Sequence, residues 1–239
     1  MDWHSPRIDK ALGAADRVVL EVAAIDDDAG IARSFEVLGK ASQSRPLADR
    51  IPLQTRPAYQ AYLKAYHLDD TALAAQDTWS AALILAQAAQ QATGSKREYG
   101  VDRAVKQAAG SRPVEEFEGA DAQLRIFDSL PEKEQADLLA LVIKGSPGDA
   151  DREVQKIETA WKSGDVAGLA GNTQGGLLTD PELRAALLVK RNRAWTSRLI
   201  AMLTRGQRPF VAVGTAHLVG PDSLPALLTA QGYRVTRLQ

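Results

Sequence analysis

Short apolar segments typical of β-strands lie near the start, the middle and the end of this chain, with long helical stretches between them. The candidates are 16–22 (DRVVLEV), 113–118 (PVEEFE), 210–213 (FVAV) and 233–238 (YRVTRL). Strands separated by helices in this way are typical of α/β folds. We predict a single α/β domain over 1–239, with a mixed central sheet and large helical insertions at about 29–96 and 120–206.

The stretches between the strands carry apolar residues at helical spacing and stop at glycine or proline, which commonly end helices. In the segment 54–68, Tyr59, Tyr62, Leu63 and Tyr66 share one helix face, which favours a packed core over a platform for stacking a ligand. Further helices are predicted over 78–93, 101–109, 120–130, 132–143, 149–161, 181–203 and 223–230.

Composition excludes several classes of function. The chain is 45% hydrophobic and 25% charged with a net charge of −1, which is ordinary for a globular protein. We expect no nucleic-acid partner, because the sequence shows no basic patch. The absence of cysteine excludes disulfides, thiolate metal ligands and a cysteine nucleophile. The longest apolar stretch, 81–89, is too short and too often interrupted by glutamine to span a bilayer, so we expect no transmembrane segment.

Side chains that can bind a metal or transfer protons follow three of the predicted strands. Glu21 follows VVL, Glu118 follows PVEEF, and His217 lies three residues after Gly214 at the end of FVAV. Ligands of open α/β sheets bind at the carboxyl ends of strands, so three parallel neighbours would bring these groups together. The set suits a divalent cation such as Mn, Zn, Fe or Co, and equally acid–base chemistry without a metal. Each glutamate alone is more simply a solvated residue, but the coincidence of three favours a site.

The helix predicted over 181–203 adds Arg191 and Asn192. At about 100° per residue, one arc of this helix contains Arg191, has Asn192 near its edge, and carries the apolar residues Leu187, Leu188, Trp195, Leu199 and Met202. A buried arginine needs an anionic partner, and Glu21 or Glu118 would serve. Alternatively, Arg191 lays its stem on the core and extends its head to water. The residues alone favour this second interpretation, since Arg184 and Arg198 fall near the same arc.

Other motifs carry weaker signals. Tyr99 and Asp102 lie where a helix begins, and Asp102 is most simply a helix-start residue, where negative charge is favoured. A ligand role for either is the less favoured interpretation. Ser223 has no G-x-S-x-G elbow around it, which leaves a serine hydrolase without support. The glycine-rich segment 171–176 lacks the Lys-Ser/Thr of a phosphate loop and predicts a turn.

These residues also match a known family. The segments that carry the match are 5–22, 97–130, 189–203 and 210–238. Through them the chain resembles the TraB/PrgY/GumN family, and more closely its bacterial GumN-like branch, from about Ser5 to the C-terminus. The last segment is the most specific, because the family ends in a glycine–x–x–histidine motif, a short helix and a final strand.

The resemblance implies a role for each matched residue. The family's two glutamates fall on Glu21 and on Glu118 with Gln123, and its arginine–asparagine pair falls on Arg191 and Asn192. The resemblance thus implies catalytic roles for Glu21, Glu118, Arg191 and Asn192, metal ligation by His217 and Glu21, and substrate binding by Tyr99 and Asp102. The resemblance also reverses the earlier preference for an Arg191 that extends to water, and implies instead that Arg191 bonds the carboxylates.

The family also suggests an activity. Its relatives include Tiki-type metalloproteases that depend on divalent cations, and a PrgY-like branch linked to shutdown of peptide pheromones. The resemblance therefore implies a hydrolase of a peptide or small molecule that uses Mn, Co or Zn. Two alternatives stay open. One is a non-catalytic module that binds or sequesters a peptide or small ligand, and the other is a haem or metal carrier with Tyr99 or His217 as ligand.

The family carries an earlier glycine–x–x–histidine motif, on a strand before the segment matched by 2–6. This sequence begins at MDWHSP, so we expect that strand to be missing, by truncation or as a natural variant, which leaves catalytic competence open. His4 lacks the preceding Gly-Thr and is not its equivalent. The sequence shows no signal peptide, so we expect a periplasmic or cell-envelope location if one has been removed, and a cytoplasmic location otherwise. The open sheet edge could pair with a second copy, giving a homo-oligomer.

Overall fold

A three-stranded parallel sheet is formed by β1 (Arg17–Leu20), β2 (Val114–Glu116) and β3 (Pro209–Ala212), with β1 in the centre. The computed structural model describes residues 3–92, 100–145, 149–173 and 176–238. Both strand pairs of this sheet are parallel, so all three strands end at the same edge. The predicted α/β fold is confirmed, with a small sheet and with helices making up most of the chain. The prediction of a mixed sheet is wrong for the described residues, because both strand pairs run parallel.

The sequence of β1 explains its central place. Val18, Val19 and Leu20 are fully buried, and a continuous apolar run of this kind is typical of a strand covered on both faces. Val18 and Leu20 pack in a cluster with Trp3, Leu12, Val105 and Ala109. Val19 packs in another, with Phe117, Trp195, Leu199, Met202 and Leu224. Since successive side chains of a strand point to opposite faces, β1 joins two apolar layers.

The helices predicted from the sequence are present, apart from a few residues at their ends. Four further helices of the described residues, at 6–14, 28–38, 70–74 and 166–173, were not among the predicted segments. The described helices are α1 (Pro6–Ala14), α2 (Asp28–Leu38), α3 (Arg56–Tyr66), α4 (Asp70–Ala74), α5 (Thr78–Ala92), α6 (Val101–Ala108), α7 (Ala120–Asp128), α8 (Glu132–Lys144), α9 (Asp149–Ser163), α10 (Val166–Thr173), α11 (Pro181–Arg184), α12 (Lys190–Thr204) and α13 (Leu224–Ala230). A π-helical turn, Ala185–Val189, joins α11 to α12. In the described ranges, every helix is too short or too polar to cross a bilayer.

The prediction of a final strand over 233–238 is wrong. These residues follow α13 without regular secondary structure, and Val235 and Leu238 are exposed. The alternation of apolar and polar residues in YRVTRL suits a half-buried strand. A strand forms, however, only where a neighbouring strand and a packing surface favour it, and β-propensity alone is a weak guide to this.

The described residues fall into two compact units. The first unit contains the sheet and draws on 1–26, 97–120 and 157–239. The second draws on 27–96 and 121–156, where α5 packs on α8 and α3 contacts both. Tyr59 and Tyr62 are buried in the second unit, in agreement with their interpretation as helix core. That the whole chain forms a single domain stays a prediction.

Candidate active site at the carboxyl ends of the strands

The parallel register brings Glu21 and Glu118 to one edge of the sheet. Glu21 directly follows β1, and the backbone after β2 continues beside it. The amide of Phe117 donates to the Leu20 carbonyl at 2.9 Å, and the amide of Glu118 donates to the Glu21 carbonyl at 3.2 Å. From the end of β3, the amide of Gly214 donates to Glu21 Oε1 at 2.7 Å. All three strand ends therefore contribute to the placing of Glu21.

Arg191 joins the two carboxylates. Its Nε donates to Glu118 Oε1 and Oε2 at 3.0 and 3.1 Å, and its Nη2 donates to Glu21 Oε2 at 2.8 Å. Its Nη1 donates to the Leu187 carbonyl at 3.1 Å. Only 10% of the Arg191 side chain is exposed, so the snorkelling interpretation favoured by the residues alone is wrong. Each guanidinium nitrogen already has an acceptor, which suits a role in holding carboxylates in place.

His217 and Asn192 form the second half of the cluster. A 3₁₀ turn, Thr215–His217, follows β3 and buries the His217 ring. Asn192 lies in the first turn of α12 and is fully buried, with its Oδ1 at 2.5 Å from His217 Nδ1. Its Nδ2 donates to the Asp222 carbonyl at 2.8 Å, which fixes the orientation of the amide. Because Oδ1 can only accept, His217 Nδ1 must carry the proton, and Nε2 then presents a lone pair.

Electrostatics keep His217 neutral at pH 7. Burial lowers its pKa to about 4, the charge of Glu21 opposes this shift, and the charge of Arg191 adds to it. The Nε2 lone pair faces two groups of the cluster. Arg191 Nη1 lies at 3.4 Å and Glu21 Oε1 lies at 3.8 Å. A neutral imidazole with an available nitrogen beside a carboxylate can accept a proton or bind a cation.

Aromatic rings form one wall of this cluster. The rings of Trp195 and Phe117 stack with centroids 4.8 Å apart, and Trp195 also packs against the His217 ring at 4.4 Å. The guanidinium of Arg191 lies 4.7 Å from the centre of the Trp195 ring, within the range of a cation–π interaction. The indole Nε1 of Trp195 donates to Glu118 Oε1 at 3.0 Å. Trp195 therefore restrains the carboxylate, the guanidinium and the imidazole together.

The remaining predicted residues take different places. Asp102 lies in the first turn of α6 on its exposed side, and its pKa is raised by desolvation and by the negative charge of Glu21. Tyr99 lies outside the described residues. Gln123 lies on α7 in the second unit. His4 is exposed at the start of the chain, where its ring stacks on Trp3.

Sequence reasoning missed four contributors to the site. Trp195 was assigned to the apolar arc, although its place four residues after Arg191 sets it beside the guanidinium on a helix. Gly214 and Asp222 contribute through backbone groups, which every residue has, so their residue types do not reveal these roles. The π-helical turn is also invisible in the apolar pattern, yet such turns occur frequently at functional sites.

Gly119, directly after Glu118, has a left-handed backbone with φ of +85°. A Cβ there would lie 2.8 Å from Glu116 Oε1, on a carboxylate whose other oxygen accepts from the amide of Ala23 at 2.7 Å. We expect Gly119→Ala to lower the free energy of unfolding by about 1–2 kcal/mol, measured by urea denaturation. The control is Gly13→Ala in α1, where the new methyl group meets nothing within 4 Å. Equal stability of the two variants would contradict the prediction.

The donor set fits a divalent cation in type but is short in number. A neutral imidazole nitrogen and a carboxylate suit Mn, Co or Zn. Two carboxylates and one guanidinium leave one excess negative charge beside that nitrogen. The negative charge of Glu21 also raises the pKa of Asp102. Catalytic zinc sites use three protein ligands. In the described part of the chain, Glu21, Glu118 and His217 do not bring three ligand atoms within 4.8 Å of one another.

The fold and the site define an α/β protein with an arginine-bridged pair of glutamates and a neutral histidine at its strand ends. The sequence model of the TraB/PrgY/gumN family matches residues 1–237, and the chain belongs to this family. The chain is similar to "Uncharacterized protein YbaP" of Escherichia coli (strain K12), with 29% identity over 229 residues that cover 93% of this chain and 80% of that protein. The protein of the same name from Shigella flexneri matches with the same values. No solved structure matches the chain.

Proposed function

We propose that this protein is a divalent-metal-dependent hydrolase that cleaves a peptide bond. The observation that carries the proposal is the neutral His217, whose Nε2 faces Glu21 Oε1 at 3.8 Å in a cluster with excess negative charge. His217 Nε2 and Glu21 would hold the cation, and water or substrate would complete its coordination. A cation bound there would supply Lewis-acid polarisation of a carbonyl oxygen.

In this proposal the other residues prepare the site. Arg191 holds Glu21 and Glu118 at fixed positions, and Trp195 donates a second hydrogen bond to Glu118. Glu118 is the second carboxylate, and Glu21 is either a ligand or the base that takes a proton from the attacking water. Asn192 keeps the proton of His217 on Nδ1, as outer partners of metal-binding histidines generally do. Asp102 and Tyr99 complete the proposal as substrate-binding residues.

One observation favours a second candidate function. Arg191 already neutralises much of the charge on both carboxylates, and its Nη1 donates toward the same Nε2 lone pair. A cluster compensated in this way is stable without a cation. That arrangement suits a non-catalytic module that binds a peptide or another small ligand.

Isothermal titration of the chain with Mn, Co and Zn, followed by assays on fluorogenic peptides, tests the hydrolase proposal. We expect binding of at least one metal, metal-dependent cleavage, and loss of both in His217→Ala, with the rate falling at least about 100-fold. The control is His67→Asn, because His67 is exposed and asparagine tolerates its left-handed backbone.

Full metal binding and cleavage by His217→Ala would overturn the assignment of this site. A wild-type chain that takes up none of the three metals would overturn metal dependence. Peptide binding that persists in a chelator, without any product, would favour the second candidate.

A further inference from the structure

Asp222 connects the loop after His217 to the beginning of α12 in two ways. Its backbone carbonyl accepts from Asn192 Nδ2 at 2.8 Å. Its carboxylate accepts from Arg184 Nη2, also at 2.8 Å. Both side chains of this ion pair are only about one-third exposed, at 29% and 30%, so the pair is better shielded than an ordinary surface pair.

The π-helical turn Ala185–Val189 lies between Arg184 and Asn192. In a continuous α-helix, the eight steps from residue 184 to residue 192, at about 100° each, would turn these side chains roughly 80° apart. A π turn takes more residues per turn and reduces that angle. The wider turn therefore helps one residue, Asp222, to bond Arg184 through its side chain and Asn192 through its backbone.

The bond to the Asp222 carbonyl decides which end of the Asn192 amide faces His217. With Nδ2 on Asp222, the amide presents Oδ1 to His217 Nδ1. A rotated amide would instead present its NH₂ group, which can only donate, and the imidazole proton would have to move to Nε2. The lone pair would then be lost from the nitrogen that faces Glu21 and Arg191.

We propose that Arg184 and Asp222 are positioning residues, whose ion pair holds the Asp222 carbonyl against Asn192 and thereby keeps His217 in its Nδ1-protonated tautomer. The loop 218–223 is short, and it turns at Gly220, which has a φ of +86°. Beyond Asp222, the Ser223 hydroxyl accepts from the Ala226 amide at the start of α13. The loop between His217 and α13 is therefore anchored at Asp222 and at Ser223.

Any effect of the Arg184–Asp222 ion pair on hydrolysis rests on the proposed function. The tautomer of His217 does not, because it is measured without metal or substrate. The experiment is two-dimensional NMR of the full chain labelled with ¹⁵N-histidine at neutral pH, with His217→Ala to assign the signals. We expect the wild-type protein to show only the Nδ1-protonated form of His217. Arg184→Met and Asp222→Asn should each lose this single pattern and show the second tautomer.

Two further variants separate positioning from general loosening of the fold. Arg193→Met removes an exposed arginine one residue after Asn192 and should keep the wild-type pattern. The double variant R184D/D222R reverses the ion pair and should restore the single tautomer, and it remains informative if one of the single variants fails to fold.

The proposal would be overturned by any of three results. The first is a wild-type His217 protonated on Nε2. The second is an unchanged pattern in both single variants. The third is a folded double variant in which the second tautomer persists.

Discussion

Replacing Arg191 with methionine is expected to destabilise the protein by about 3–5 kcal/mol, the range found when one partner of a buried ion pair is removed. The reason is the state of the carboxylates left behind. Glu21 and Glu118 are only 21% and 14% exposed, and the guanidinium bonds both. Without it, two like charges stay close together in a partly desolvated place. Urea denaturation at pH 7 gives the change in the free energy of unfolding.

Two companion variants identify the cause of that loss. Arg191→Lys keeps the charge, but its single ammonium cannot reproduce the fork that reaches both glutamates, so we expect an intermediate loss. Adding Glu118→Gln to Arg191→Met should recover part of the stability, because it removes one uncompensated charge. A loss below about 1 kcal/mol in Arg191→Met, as for an exposed pair, would contradict the buried bridge.

The positions of Glu21 and Glu118 could be predicted from the sequence, because both residues lie at the ends of predicted strands. The apolar run VVL indicated a strand, and parallel neighbours then place Glu21 and Glu118 at one edge. This step needed only the alternation of strands and helices along the chain. The final strand could not be excluded in the same way, since the pattern of 233–238 is compatible with a strand whether or not a neighbour pairs with it.

The helical pattern could not decide whether Arg191 bonds a carboxylate or extends to water. A helical projection gives the face on which a residue lies but not what packs opposite, and it assumes a constant turn of about 100° per residue. The π-helical turn breaks that assumption within the same segment. The bond from Trp195 Nε1 to Glu118 and the bond from Asn192 to a backbone carbonyl depend on tertiary packing. The family resemblance selected Arg191 and Asn192, but the contacts came from the structure.

The second large effect is expected on acidification. Between pH 6.5 and about pH 4, His217 should reduce the free energy of unfolding by up to about 3 kcal/mol. Its pKa is about 4 in the folded protein and about 6.5 in the unfolded chain, mainly because burial disfavours the imidazolium. In that window the unfolded chain binds the proton and the folded protein does not, so stability falls as the pH falls. Well above pH 6.5, His217 is neutral in both the folded and the unfolded chain, so its contribution to the free energy of unfolding no longer changes with pH.

The control must separate His217 from the carboxylates that titrate near pH 4. We compare urea denaturation of the wild type and of His217→Gln at pH 7.5, 5.5 and 4.5. Glutamine does not titrate, so the difference in unfolding free energy between the two proteins isolates the histidine. As the pH falls, the wild type should lose stability relative to His217→Gln. A difference that is the same at all three pH values would mean that His217 titrates alike in both states, and that burial does not keep it neutral.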